Sequence, residues 1–223
     1  MKKKTIGLLG GIGPESTGFF YLELIRKFIE KNKPKDNSEY PHVIINSISA
    51  PELIFNNGTH EILSPYVDGL KQLEKSGSDI IAIICNTAYV YLDTLQRATK
   101  VPIINLRAEV EKCLHNLQVK SVTVFGTPYT LASGLYKFSG IKCNELLESE
   151  VKDLSRAISN YNLGIDKKKQ ETFTQNLARK YSKVSESIIL GCSEVALMSK
   201  ELPINKIDPM NVLVDAVLRE YAE

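Results

Sequence analysis

Apolar and polar residues along this chain fall into two kinds of block. Short apolar runs recur at Thr5–Leu9, His42–Ser47, Ile80–Ile84, Val101–Asn105, Ser121–Phe125, Ile141–Leu147, Ser187–Leu190 and Asn205–Ile207. The clearest of them are too short for surface helices and too continuous for half-exposed strands. They suit strands buried on both faces, as in a parallel sheet. Between them lie longer stretches with helical spacing. In 18–31, Phe19, Phe20, Leu22, Leu24, Ile25, Phe28 and Ile29 supply an apolar side, and in 62–76 Leu63, Val67, Leu70 and Leu73 do the same. Further helices are expected over 89–98, 108–117, 131–138, 150–160, 170–182 and 194–200. Asp208 reads as a helix N-cap with Pro209 at the first helical position, and Val212, Leu213, Ala216, Val217 and Tyr221 give that last helix an apolar stripe. The segment from Ser49 to Thr59, with Pro51, Asn56, Asn57 and Gly58, reads as a longer loop or short helix.

Strand and helix alternate throughout, and the order repeats. This predicts an α/β fold with mainly parallel sheets. Matching landmarks lie at similar offsets: Gly10 with Gly126, Cys85 with Cys192, and Pro102 with Pro203. The expectation is two similar lobes related by an internal duplication, with a cleft between them. Residues 1–104 and 208–223 form the first lobe and 105–207 the second, so the last helix returns to the lobe where the chain starts.

Composition narrows the class of function. A chain of 223 residues, 43% hydrophobic and 24% charged, has ample material for a buried core. A formal net charge of +2 gives no reason to expect nucleic acid or an anionic membrane as partner. No apolar run approaches the ~18 residues of a membrane span. Met1-Lys2-Lys3-Lys4 is basic, but the apolar stretch behind it runs into Gly10-Gly11 without a cleavage site, so no signal peptide is expected. The run Lys167 to Lys169, like Lys2 to Lys4, reads as a solvated face. Four cysteines without CxxC spacing point to the cytoplasm and free thiols. The histidines His42, His60 and His115 do not cluster with them, and no metal site or cofactor is expected.

Two stretches then stand out as copies of each other: Ile80-Ile81-Ala82-Ile83-Ile84-Cys85-Asn86-Thr87-Ala88 and Ser187-Ile188-Ile189-Leu190-Gly191-Cys192-Ser193-Glu194-Val195. Each is an apolar strand ending in a cysteine, where open α/β sheets place ligands. A lone buried cysteine is usually a small hydrophobe, and Cys113 and Cys143 read that way. Cys85 and Cys192 are different because both precede an expected helix N-terminus, which favours thiolate. Asn86, Thr87 and Ser193 are short donors suited to a substrate carboxylate, and Glu194 could orient a thiol, bind an amino group or cap its own helix. The turn Gly10-Gly11-Ile12-Gly13-Pro14-Glu15-Ser16-Thr17 is neither a Walker loop nor a dinucleotide fingerprint. It still offers backbone N–H groups from Gly11, Ile12 and Gly13 and hydroxyls from Ser16 and Thr17. Thr127, in the turn Gly126-Thr127-Pro128-Tyr129-Thr130, is its counterpart in the second half. Asn46 joins the list from the second strand, and Tyr89 and Tyr129 follow the site loops.

A pair of thiols facing each other suits inversion at a carbon beside a carboxylate. One thiolate removes the proton from one face while the opposing thiol returns one to the other. Preformed donors stabilise the charge that develops on the carboxylate.

These segments, with Asp208-Pro209-Met210, resemble the aspartate/glutamate racemase family of cofactor-independent amino-acid racemases, and they recur in family order over nearly the whole chain. The resemblance implies a two-lobed α/β fold, a small-molecule amino-acid substrate, a homodimer in many members, and Cys85 and Cys192 as the two acid/base residues. It also implies substrate binding by Asn86, Thr87, Ser193 and the Gly10–Thr17 turn. The chain departs from the family pattern with Tyr89 where His is usual and Ser193 where Thr is usual. Pro51-Glu52-Leu53-Ile54 stands where aspartate-acting members often carry a basic residue. The leading expectation is a racemase of an acidic or neutral amino acid. A maleate isomerase or decarboxylase relative, and a catalytically silent amino-acid-binding protein, are the alternatives.

Overall fold

A computed structural model describes residues 3–53 and 60–222. Ile54, Asn56, Asn57, Gly58 and Thr59 of the loop singled out above, and Lys2, lie outside the described residues. All strand pairs are parallel. The first sheet has strands β1 (Ile6–Gly10), β2 (Val43–Ser47) and β3 (Ile80–Ile83) in the order β2-β1-β3. The second has β4 (Ser121–Gly126), β5 (Lys142–Asn144), β6 (Ser187–Gly191) and β7 (Lys206–Ile207) in the order β5-β4-β6-β7. The first sheet is extended by a single parallel bridge from Ile81 to Ile103, with Ile81 N–H donating to Pro102 O and Ile104 N–H to Ile81 O, both at 2.9 Å. Counting that bridge as a fourth position, the two sheets share one strand order, as the repeated sequence pattern anticipates. A full strand was expected over 101–105. Pro102 has no N–H to add to a ladder, and the segment pairs only around Ile103.

The helices are α1 (Pro14–Asn32), α2 (His60–Lys75), α3 (Leu92–Gln96), α4 (Leu106–Asn116), α5 (Pro128–Ala132), α6 (Glu148–Asn162), α7 (Lys167–Tyr181), α8 (Ser193–Met198) and α9 (Pro209–Ala222). None of the described helices is long and apolar enough to cross a membrane. On α1, Phe20, Leu24 and Phe28 face the core at the four-residue spacing of one helix stripe. Phe19, Leu22 and Ile29, expected on its apolar side, remain exposed. The helix expected at 131–138 instead starts earlier and is short. Thr127 caps it by accepting from Thr130 N–H at 3.2 Å, and Pro128 occupies its first turn. Proline there read as a turn former, but its fixed φ suits the first helical position equally well. The helix expected at 89–98 begins as a 3-10 turn at Thr87–Tyr91 and only then becomes α3. At α9 the expected cap is present: Asp208 Oδ1 accepts from Met210 N–H at 2.9 Å.

Side-chain alternation in the second sheet joins the two halves. Phe125, Ile188 and Leu190 point toward a cluster with Leu154, Ile158, Leu177 and Met198 of α6, α7 and α8. Val122, Val124, Ile189 and Ile207 point the other way, into a larger cluster shared with β1, β3, α4 and α9. Helix α9 packs against both α1 and α4, and Arg219 on α9 donates to Glu109 on α4 at 2.7 Å. The shared core therefore sets the distance between the C-terminal ends of β3 and β6, where the two cysteines lie.

Candidate active site

Cys85 and Cys192 follow the apolar strands β3 and β6, and both side chains line one small cleft of about 40 Å³. Both are buried and both are free thiols. The cleft is closed on the first-lobe side by Ile12, Gly13, Glu52, Leu53, Asn86 and Thr87. On the second-lobe side it is closed by Thr127, Ile158, Asn162, Ser193 and Glu194.

The glycine turn reaches this cleft because of its local packing. Thr17 is buried beneath it, where its Oγ1 accepts from Gly11 N–H at 2.9 Å and donates to Gly13 O at 3.2 Å. Thr17 therefore staples the turn and does not line the cleft, and Gly11 likewise supports it from behind. Gly13 is at the surface of the cleft. A Cβ there would lie 2.5 Å from Glu194 Oε1 and 2.7 Å from Asn162 Oδ1, so glycine leaves room for these two side-chain ends where they stand. Asn46 does not reach the site: its amide donates to Gly69 O at 3.0 Å and Gln72 Oε1 at 2.9 Å on α2.

Each lobe's turn is hydrogen-bonded to the residues that follow the other lobe's cysteine. Ser16, after the first glycine turn, donates to Glu194 Oε1 at 3.4 Å. Thr127 and Thr130, in the second turn, lie 3.2 and 2.9 Å from the Thr87 hydroxyl. The duplication thus braces the cleft twice.

Glu194 is buried and collects donors. Its Oε2 accepts from Cys192 Sγ at 2.9 Å and from Ser193 Oγ at 3.2 Å. Of the roles the sequence leaves open for it, contact with the thiol is the one the geometry contains. Asn86 is fixed by Tyr136, whose hydroxyl donates to Asn86 Oδ1. Its Nδ2 is then a buried donor with no partner among the described residues. An orphaned donor in a cleft calls for an acceptor from a ligand or water.

Electrostatics corrects one expectation. The backbone N–H groups of Thr87 and Ala88 do pull the Cys85 thiol down, but burial outweighs them and Glu194 and Glu52 add to it, so the thiol is pushed up to about 12. Burial also raises Cys192 well above the ordinary thiol range. The charge of Glu194 and the hydrogen bond to it reinforce the shift, against one backbone N–H. The short helical segments after each cysteine do not overcome desolvation. Burial and Glu194 thus favour the neutral thiol at both sulfurs.

Sequence reasoning overlooked Ile158, Asn162 and Tyr136. The first two lie on α6, whose spacing gives no hint of which face meets a cleft. Tyr136 follows α5 in a segment expected to be helical. Tyr89, flagged for its position, is buried with its hydroxyl accepting from Ile83 N–H at 3.1 Å. Tyr129 stacks on Tyr91 with centroids 5.7 Å apart. Cys113 and Cys143 pack at the edge of the larger core cluster and do not line the cleft.

Comparison with known proteins shows a family and a shared fold. The family model described as Asp/Glu/Hydantoin racemase matches residues 9–217. A broad specificity amino-acid racemase, RacX, of Bacillus subtilis (strain 168) is 35% identical over 133 residues, covering 59% of this chain and 58% of that protein. Glutamate racemase of Aquifex pyrophilus is 28% identical over 137 residues, covering 58% and 52%. The matched region spans little more than half the length of these curated relatives. Among solved structures, an aspartate racemase homologue from Pyrococcus horikoshii OT3 superposes with a TM-score of 0.77 at 26% identity, covering 99% of this chain and 100% of that one. Picrophilus torridus aspartate racemase has the same fold, with a TM-score of 0.80 at 21% identity over 98% of this chain and 94% of that one.

Proposed function

The chain belongs to the Asp/Glu/Hydantoin racemase family, and from that premise we propose that it is a cofactor-independent amino-acid racemase using Cys85 and Cys192 as its two acid/base groups. The observation that carries the proposal is their placement: buried sulfurs, at corresponding strand ends of two lobes, lining one cleft. The substrate's carboxylate meets the unpartnered Asn86 amide, and the hydroxyls of Thr87, Thr127 and Ser193 turn to it from their partners in the cleft. Its ammonium brings positive charge toward Glu194, offsetting the charge that holds the thiols neutral and so favouring thiolate on one wall. That thiolate takes the α-proton, and the Cα–H electron pair passes into the carboxylate. The opposing thiol delivers its S–H proton to the other face. After inversion the two sulfurs have exchanged protonation states, and the reverse reaction uses the same groups with roles swapped.

The test is exchange in heavy water. Incubation with a panel of amino acids, with maleate alongside, should give α-deuterium incorporation coupled to loss of enantiomeric excess, followed by NMR and chiral chromatography. Turnover of maleate with no exchange at any amino-acid α-carbon would refute the proposal.

The raised thiols also set a pH profile. The pH dependence of kcat/KM follows ionisation in the free enzyme, where burial and Glu194 hold back thiolate formation. The expected kcat/KM climbs with pH from about 7 to 9.5 and does not level near the ordinary thiol value of about 8.5. Glu194→Gln removes a negative charge facing both sulfurs, so it moves this limb toward lower pH. A wild-type plateau below about pH 8, or a limb that Glu194→Gln leaves in place, contradicts the assignment.

A further inference from the structure

The charge of the cleft points beyond the reaction to the substrate. Its lining contains two carboxylates, Glu52 and Glu194, and no Lys, Arg or His among the described residues. Glu194 is satisfied by hydroxyl and thiol donors, and Glu52 by the Asn162 amide, whose Nδ2 donates to its Oε1 at 2.5 Å. No cation among the described residues pairs with either. Nor can the chain around Glu52 supply a permanent one, since the sequence has no Lys or Arg between Lys35 and Lys71. Lys167, which follows α6, is committed elsewhere: it pairs with Glu15 and lies 4.5 Å from the Tyr161 ring centroid.

Glu194 is buried in the cleft and Glu52 stands at its exposed mouth, so an entering anion meets negative charge at both places with no cation to offset it. A dicarboxylic amino acid would add two carboxylates and one ammonium. A neutral amino acid would answer one acid only. A diamino acid brings two cations and one carboxylate, which matches two acids and one set of neutral donors. Position separates the two acids. Glu194 is bonded to Cys192 and so sits beside the reacting carbon, the place of the α-ammonium. Glu52 comes from the other lobe, on the loop after β2, and is tied to α6 through Asn162. The apolar side chains of Leu53 and Ile158 also line the cleft and suit the methylene stem of a long side chain.

We propose that this racemase acts on amino acids with a basic side chain, and that Glu52, oriented by Asn162, is the residue that recognises the distal cation. The proposal rests on the racemase reading above and narrows its substrate. The same negative field is felt at Cys85, whose thiol is raised partly by Glu52. A bound side-chain cation would relieve that effect, so the preferred substrate also helps to generate the base.

The experiment compares kcat/KM for lysine, ornithine and arginine with that for alanine, glutamate and aspartate, on the wild-type protein and on Glu52→Gln and Glu52→Arg. In the wild type, the basic amino acids should exceed glutamate and aspartate by about 100-fold or more. Glu52→Gln should lower the ratio of lysine to alanine by about tenfold or more, and Glu52→Arg should shift preference toward glutamate. Faster wild-type turnover of the acidic amino acids would overturn the proposal. So would an equal loss on every substrate in Glu52→Gln, which would place Glu52 at the α-ammonium or in a purely structural role. Ligand-induced thermal shifts keep the two readings apart. If no amino acid undergoes α-exchange, racemisation fails; stabilisation by lysine but not glutamate, lost in Glu52→Gln, would still support the binding preference, and equal shifts would end it.

Discussion

Cys85→Ala and Cys192→Ala each lower the racemisation rate by about 10³-fold or more, and the double variant is hardly worse than either single one. A positioned acid or base contributes about 10² to 10⁴ to such a proton transfer. Here the two act as a unit, because inversion needs removal on one face and delivery on the other, so their losses do not add. Both positions are buried, and the change to alanine removes one small sulfur, so folding should survive with unchanged circular dichroism. Cys113→Ala is the internal control. That residue packs at the edge of the core away from the cleft, and its rate should remain within about twofold of wild type. A Cys192→Ala protein with near-normal racemisation would remove the second lobe from the chemistry.

Gly11→Ala should lower the melting temperature by about 8–12 °C. Gly11 has φ +92°, a conformation that costs an L-residue about 1–2 kcal/mol. Its added Cβ would lie 2.1 Å from the carbonyl oxygen of Ile48 and 2.6 Å from its nitrogen. Both are backbone atoms just past β2, and Ile48 N–H is already held by Gly10 O at 3.0 Å, so no side-chain rotation relieves the clash. Overpacking of this kind adds about 1–3 kcal/mol. A total near 3–4 kcal/mol converts to that shift for a domain of this size. Activity should fall with it, since the displaced turn carries Ile12 and Gly13 into the cleft. Gly18 provides the contrast. It lies in α1 with nothing within 4 Å of a built Cβ, so Gly18→Ala should be neutral or stabilising by up to about 1 kcal/mol. A Gly11→Ala melting temperature within about 2 °C of wild type would contradict the steric account.

The fold and the cysteine pair were legible because buried parallel strands announce themselves as unbroken apolar runs. The duplication makes Cys85 and Cys192 equivalent positions in the sequence itself. Position along the strand also placed Asn86, Thr87 and Ser193, since residues just past a strand's C-terminal end face the cleft. Asn46 was misjudged for the reason that period-two alternation decides which side a strand residue takes, and Asn46 sends its amide to α2. Ile158 and Asn162 were invisible because helix α6 reaches the cleft only through the assembly of two lobes, a long-range fact with no local signal. The thiol ionisation was misread as well. A local rule, a helix start after each cysteine, met a larger opposing effect: burial in the assembled fold, reinforced at Cys192 by the carboxylate of Glu194. Glu52 lay in the sequence as a missing base, and its value as an acid became readable only when the structure set it in the same cleft as Glu194 without a cation.

The central claim is that two sulfurs work on opposite faces of one carbon. It is tested most directly by following α-proton exchange in heavy water for each enantiomer separately in Cys85→Ala and Cys192→Ala. The account predicts that neither variant racemises, and that residual exchange with retention, where measurable, is confined to one enantiomer in one variant and to its mirror image in the other. Residual exchange of the same enantiomer in both variants, or undiminished racemisation in either, would contradict it.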